Sequence, residues 1–123
     1  MRLLRRVEIC GQEWKVYSTS KDNPALEGNS GVCDSIRAEI HVADDGADTV
    51  QIDTFLHEIL HAILAGTGQH ARLEAASKKL GPSSALEEEI VSAVTPALRA
   101  ALKSAGWREP KRIGKAPRAR RPR

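Results

Sequence analysis

Two histidines four residues apart, His57 and His61, enclose a glutamate, Glu58, in the segment H-E-I-L-H. On a helix, residues four apart lie one above the other on the same face, so both imidazoles can point at one metal ion. The carboxylate of Glu58 lies one step round the helix, within reach of a water bound to that ion. The pattern therefore predicts a zinc site that activates water for hydrolysis.

The alternative interpretation of this motif is a helix surface that carries histidines without a metal. The glutamate between the histidines argues against it, as does a carboxylate cluster that follows at positions 87–89. The residues around the motif are also too apolar for a freely solvated helix: Phe55, Leu56, Ile59, Leu60, Ile63 and Leu64. We therefore expect zinc as the cofactor.

A catalytic zinc usually has three protein ligands and one open position for water. Candidates for the third ligand are Glu87, Glu88, Glu89 and His70. A metzincin pattern fails, because it needs glycine at position 64 and histidine at position 67, where this chain has leucine and threonine. His70 lies in a weakly patterned polar segment that is typical of a surface histidine. Periodicity does not choose between Glu87 and Glu88.

Two helices are expected to position these residues. The first runs from 49 to 65, with Asp48 and Gln51 as a capping box and Gly66 as its stop. The second begins at S-A-L-E, positions 84–87, where the pattern S-x-x-E predicts a capping box and three acids also suit the helix dipole. Pro96 is expected to bend this helix, and position 106 to end it. The segment 69–80 fits a short helix or an ordered loop.

Three strands are predicted before the helices. Residues 3–9 and 14–17 suit a hairpin, and residues 18–30 suit a loop. Alternation of apolar and polar residues over Ile36–Val42 predicts a half-buried strand. The predicted fold is a small α+β domain, with a three-stranded antiparallel or mixed sheet packed on the two helices.

At 123 residues with 3% aromatics, the chain suits one domain with a modest core, to which a bound metal would add stability. The two cysteines, Cys10 and Cys33, form no disulfide pattern, so reduced thiols and a cytoplasmic location are expected. The N-terminus lacks the apolar stretch of a signal peptide. No apolar run reaches the length of a membrane span, so no membrane partner is expected.

The charge is distributed unevenly along the chain. Residues 107–123 contain eight Lys/Arg and one acid, a balance of +7, which leaves −4 for residues 1–106 out of the total of +3. The prolines and charges predict a disordered tail after a domain of residues 1–106. Such a tail is either a solubilising extension or a weak contact for nucleic acid. Trp107 is the sole aromatic residue in it, which favours the first interpretation.

Four segments carry a family resemblance: residues 31–34, the strand through Ile40, the motif segment 54–62 and the segment L-E-E-E-I-V at 86–91. In this arrangement the chain resembles small gluzincin-type zinc metallopeptidases. Similar proteins are common in tailed phages and prophages. The chain is also similar, more distantly, to compact HExxH peptidases that act on phage-type repressors. The resemblance covers roughly residues 7–102.

The resemblance implies that His57, His61 and Glu88 bind zinc and that Glu58 is the general base. Glu88 is preferred because related sequences often read E-E-x-I-V, which matches positions 87–91. It also implies hydrolysis of a peptide or protein substrate, in the host cytoplasm if the gene is phage-borne. The strand Ile36–Val42 would be the edge strand that pairs with an extended peptide.

The chain departs from the family in its short length and in having no distinct lower subdomain. Weak candidates for stabilising the oxyanion are His70, His41 and Tyr17. Two other functions are compatible with the residues. One is a non-catalytic structural zinc domain whose tail binds nucleic acid or a protein. The other is a SprT-like DNA-associated protease with His70 as the third ligand.

Overall fold

Residues 1–109, which the computed structural model describes, form four strands followed by three helices. The strands are β1 (Arg2–Ile9), β2 (Gln12–Thr19), β3 (Gly31–Asp34) and β4 (Glu39–Ala43), and the helices are α1 (Asp48–Gly66), α2 (Gln69–Leu80) and α3 (Leu86–Ser104). The predicted α+β class is confirmed, but the sheet has four strands rather than the predicted three. The segment left open as helix or loop is the helix α2.

The sheet is mixed, with the strand order β1-β2-β4-β3. β1 and β2 form the predicted antiparallel hairpin, in which Ile9 pairs with Gln12 across a two-residue turn. Both turn residues have positive φ, 52° at Cys10 and 79° at Gly11, as tight hairpin turns of the primed type require. β4 then lies parallel to β2, and β3 lies antiparallel to β4 at the far edge.

The strand predicted at Ile36–Val42 is wrong in its first half. The Asp34 carboxylate accepts hydrogen bonds from the backbone N–H groups of Ile36 and Arg37, both at 3.1 Å, so this segment is the turn between β3 and β4. Ile36 is 95% exposed, and β4 begins only at Glu39. Local hydrogen bonding by Asp34 therefore overrides the alternating pattern.

The predicted edge position of that strand is also wrong. β4 lies between β2 and β3, so its backbone is paired on both sides. The edge strand next to α1 is β3, which was not predicted as a separate strand. Any added strand on this side of the sheet would therefore pair with β3.

One face of the sheet packs against α1 and forms the core. Trp14 and Val16 of β2 and Ile40 and Val42 of β4 are buried there. The α1 side chains that complete this cluster are Ile52, Phe55, Leu56 and Ala62. The motif residues His57, Glu58 and His61 are neighbours of these buried residues on α1. Packing of the apolar face against the sheet therefore determines where the motif side chains point. None of the helices within residues 1–109 has the length and apolar character to cross a membrane.

The N-cap residues of α1 and α3 differ from those predicted. α1 has Ala47 at its N-cap without a side-chain hydrogen bond, and Asp48 is its first helical residue. α3 has Ala85 at its N-cap, also without a side-chain hydrogen bond. The Glu87 carboxylate, the expected cap partner of Ser84, bonds to histidines instead.

α3 ends in a Schellman motif. Gly106 has a φ of 91°, and its N–H donates to Lys103, while the N–H of Trp107 donates to Leu102. Trp107 packs against the core, and Glu109 forms an ion pair with Arg99 of α3. Residues 110–123, most of the predicted basic tail, lie outside the described residues, so that tail stays a prediction.

Candidate metal centre

The structure brings His57, His61 and Glu88 together, and one ligand atom from each lies within 4.8 Å of the others. The two histidines project from one face of α1, and Glu88 reaches them from the first turn of α3. The Glu88 carboxylate lies 2.9 Å from Nε2 of His57 and 2.9 Å from Nε2 of His61. The two Nε2 atoms are 3.2 Å apart. Glu89, on the same turn, lies outside the cavity that holds these groups.

The donor set fits a zinc ion. Zinc binds imidazole nitrogen and carboxylate oxygen at about 2.0–2.1 Å, so a tetrahedral site places its ligand atoms about 3.3 Å apart. The two Nε2 atoms, 3.2 Å apart, are already close to that value, and each lies 2.9 Å from a different oxygen of Glu88, Oε1 for His57 and Oε2 for His61. Residues His57, His61 and Glu88 can therefore hold the ion with small side-chain movements.

Glu87 occupies the other side of the His61 ring. Its Oε2 atom lies 2.7 Å from Nδ1 of His61, and its Oε1 atom lies 2.8 Å from Nδ1 of His70. Partial burial raises the pKa of Glu87, but hydrogen bonds from His61 and His70 outweigh it and leave the pKa below its ordinary value. Glu87 is thus an ionised acceptor, and the structure places His70 beyond it, outside the ligand group.

The contact between Glu87 and His61 bears on which nitrogen of His61 faces Glu88 and His57. If Nδ1 of His61 donates to Glu87, a neutral His61 presents the lone pair of Nε2. That atom faces a carboxylate oxygen of Glu88 at 2.9 Å and Nε2 of His57 at 3.2 Å. Three electron-rich atoms at such distances require a cation between them, either a proton or a metal ion.

Glu58 is buried beside the ligand group. Glu58 is only 5% exposed, and its Oε2 atom has no hydrogen-bond partner within residues 1–109. Burial raises the pKa of this carboxyl to about 7, with the nearby His61 lowering it and Glu88 raising it. A carboxyl that exchanges its proton near neutral pH has the property that a general base needs.

A cavity of about 740 Å³ opens over these groups. β3 forms one wall with Gly31, Val32 and Cys33, and α3 forms the opposite wall with Glu87, Glu88, Ser92, Thr95 and Pro96. Tyr17 and His41 stack on each other with ring centres 5.2 Å apart and lie outside the lining, whereas His70 belongs to it. Of the three weak oxyanion candidates, His70 alone borders the cavity.

Cys33, in the β3 wall, is a neutral thiol. Burial, together with the negative charges of Glu58, Glu87 and Asp34, raises its pKa to about 12. The thiolate is the nucleophilic form of cysteine. Cys33 therefore lines the wall as a thiol whose ionisation is disfavoured.

Gly31 marks a close approach of β3 to α1. A Cβ atom there would lie 2.5 Å from Cγ2 of Thr54 and 3.1 Å from Cγ of Glu58. We expect Gly31→Ala to lower the free energy of unfolding by about 1–3 kcal/mol, because an added methyl group forces the strand and the helix apart. Urea unfolding measures the change.

Thr54→Ser supplies the matched control for this clash. Serine lacks Cγ2 but keeps the hydroxyl that donates to the backbone carbonyl of Val50 at 2.9 Å. The double variant Gly31→Ala/Thr54→Ser should recover most of the lost stability. Equal stability of Gly31→Ala and the wild type, or no recovery in the double variant, would contradict this close contact.

The buried Glu58 carboxyl predicts a pH dependence of stability in the metal-free protein. Its pKa rises from 4.5 to about 7 on folding, so the folded state holds the proton more tightly than the unfolded chain. Stability from this group is therefore present below pH 4.5 and is lost as the pH rises through about 7. The loss is at most about 3.5 kcal/mol, since each pKa unit corresponds to about 1.4 kcal/mol.

Urea unfolding between pH 4.5 and 8 with a chelator present tests this dependence. Glu58→Gln removes the titrating group, so the difference between wild type and variant isolates it from other groups. Glu89→Gln, an exposed carboxylate of the same cluster, serves as the control. Parallel stability curves for the wild type and Glu58→Gln would contradict the raised pKa.

Comparison with known proteins gives no match to any family model, curated protein or solved structure.

Proposed function

We propose that the protein is a zinc-dependent hydrolase that cleaves peptide bonds. The observation that carries this proposal is the convergence of three ligand atoms within 4.8 Å, from His57, His61 and Glu88, beside the buried carboxyl of Glu58. Two imidazoles, one carboxylate and an open position form the donor set of catalytic zinc sites in metallopeptidases.

The residues have distinct roles in this reaction. His57, His61 and Glu88 hold the ion, which when bound lowers the pKa of water towards about 7 and polarises the scissile carbonyl. Glu58 accepts the proton of the attacking water and delivers it to the leaving amine. Burial of Glu58 supports this role, because it keeps the proton affinity of the carboxyl close to neutral pH.

β3 supports a peptide as the substrate. It is the edge strand of the sheet and contributes Gly31, Val32 and Cys33 to the cavity wall. An extended peptide that adds to the edge of a sheet gains backbone hydrogen bonds without regard to its sequence. Such a peptide would pass along the wall that faces Glu58 and the ligand group.

A phage or prophage origin and a cytoplasmic location are part of the proposal. The first rests on the resemblance of the motif segments to small gluzincin-type peptidases. The second rests on the two cysteines, which are free thiols.

The two other functions have less support. A structural zinc site is closed by four protein ligands, whereas three ligand atoms converge within residues 1–109. A SprT-like site would use His70 as the third ligand, but His70 contacts Glu87, whereas Glu88 contacts both motif histidines. The nucleic-acid contact expected of the basic tail falls on residues outside 1–109.

Zinc loading combined with a peptide library tests the proposal. We expect zinc at an equimolar ratio by mass spectrometry of metals, and an X-ray absorption spectrum with two imidazoles and light-atom ligands that include water. Cleavage of the library should stop with 1,10-phenanthroline and return when zinc is added. Failure to bind zinc would reject the proposal, and a zinc ion with four protein ligands and no cleavage would favour the structural domain.

A further inference from the structure

We infer that Glu87 is a positioning residue that fixes the orientation of His61 and is itself held by His70. The inference rests on the proposed function in one respect, that the site binds zinc. It assigns to Glu87 a task different from metal ligation or helix capping, the two tasks that its sequence position suggests.

The Glu87 carboxylate uses its two oxygens for two different histidines. Oε2 lies 2.7 Å from Nδ1 of His61, and Oε1 lies 2.8 Å from Nδ1 of His70. The three residues come from α1, α2 and α3, so this carboxylate joins all three helices. A carboxylate held at both oxygens cannot rotate freely, and its side chain is only 18% exposed.

The two ring nitrogens of His61 contact adjacent carboxylates of α3. Glu87 contacts Nδ1, and Glu88 contacts Nε2. Accepting the Nδ1 proton selects the tautomer whose Nε2 lone pair faces the ligand group. A carboxylate behind a metal-binding histidine orients the ring and raises its basicity, and losing such a partner typically costs about 10–100-fold in metal affinity.

His70 gives α2 a part in the site. Its side chain is 55% exposed, and its Nε2 atom lies 3.6 Å from Glu74 one turn along α2. Within residues 1–109, His70 is not one of the three residues whose ligand atoms converge. Its link to them is the hydrogen bond with Glu87. Removal of His70 should therefore weaken zinc binding less than removal of the Glu87 charge.

Zinc affinity, measured by competition with a chromophoric chelator on the full chain, tests the inference. Glu87→Gln should weaken binding by about 10–100-fold. Glu89→Gln removes the same charge from the same helix turn and should change little, which separates positioning from the general electrostatic effect. His70→Ala should give a smaller loss, and adding it to Glu87→Gln should cost little more, because His70 acts through Glu87.

Cobalt substitution separates a positioning residue from a metal ligand, because the visible spectrum of Co²⁺ reports the ligands themselves. Co²⁺-loaded Glu87→Gln should keep the visible spectrum of the wild type, since the ligands are unchanged, whereas Glu88→Gln should alter it. Far-UV circular dichroism of the metal-free variants should match the wild type, whereas the melting temperature of Glu87→Gln should fall, because an amide cannot replace both charged contacts with the histidines.

Three results would overturn the inference. Equal zinc affinity of Glu87→Gln and Glu89→Gln would show that Glu87 does not position His61. A cobalt spectrum of Glu87→Gln that changes as in Glu88→Gln would make Glu87 a ligand. A wild-type protein that binds no zinc would reject the proposed function and the inference together, whereas the first two results reject the inference alone.

Discussion

Glu58→Gln is expected to leave zinc bound and to lower the rate of peptide hydrolysis by about 10²–10⁴-fold, the range that a positioned general base contributes. Glutamine has nearly the shape of glutamate, so it fits the buried position that Glu58 occupies. Its amide cannot accept a proton from water. The variant therefore separates proton transfer from metal binding.

The measurement compares cleavage of the best library peptide with zinc content in the same preparation. Glu89→Gln is the control, because it loses a carboxylate outside the cavity. A fully zinc-loaded Glu58→Gln protein that cleaves at the wild-type rate would show that another group accepts the proton. Loss of zinc from this variant would instead place Glu58 among the ligands.

Glu88→Ala is expected to reduce zinc affinity by more than about 100-fold, beyond the loss typical of a residue that acts behind a ligand. The substitution removes the one carboxylate that lies 2.9 Å from both motif histidines. The Glu88 side chain is 56% exposed, so the fold should survive its truncation. Hydrolysis should disappear with the metal.

Isothermal titration with zinc measures the loss, and Glu89→Ala is the matched control on the next position of α3. The two variants are expected to differ: Glu58→Gln binds zinc but does not cleave peptides, whereas Glu88→Ala does neither. Wild-type zinc affinity in Glu88→Ala would mean that the third ligand is a different residue.

The convergence of the two histidines was predictable from the sequence. Helix periodicity alone puts positions 57 and 61 on one face, and the apolar residues on either side of the motif, such as Phe55 and Ala62, mark the face that is buried. Both facts are local, so no knowledge of distant contacts was needed. Placement of Glu58 beside them follows from the same periodicity.

The choice of the third ligand depended on tertiary structure. Glu87 and Glu88 differ by about 100° around the axis of α3, as successive residues of a helix do. Their roles therefore depend on how α3 is rotated against α1. That rotation is set by packing of Val91 and Thr95, both buried in α3. The preference for Glu88 over Glu87 came from resemblance, and the contact of Glu87 with His61 had no local signal.

The strand order could not be predicted from local sequence patterns either. Alternation over Ile36–Val42 correctly located apolar residues that face the core, such as Ile40 and Val42. It did not show that Asp34 would bind the following backbone and turn the chain. Nor did it show that β4 would insert beside β2 as a parallel neighbour, since pairing between strands distant in sequence is set by the whole core.

The Arg99 guanidinium has a practical consequence for handling the protein. It binds Glu109, the last described residue, and at 2.9 Å it also binds Asp53, which lines the cavity. Glu109 is therefore anchored on the cavity side of the domain. Met1 precedes β1, at the opposite edge of the sheet from β3, three strand spacings or about 14 Å away. A histidine tag, which competes for zinc, belongs at that end.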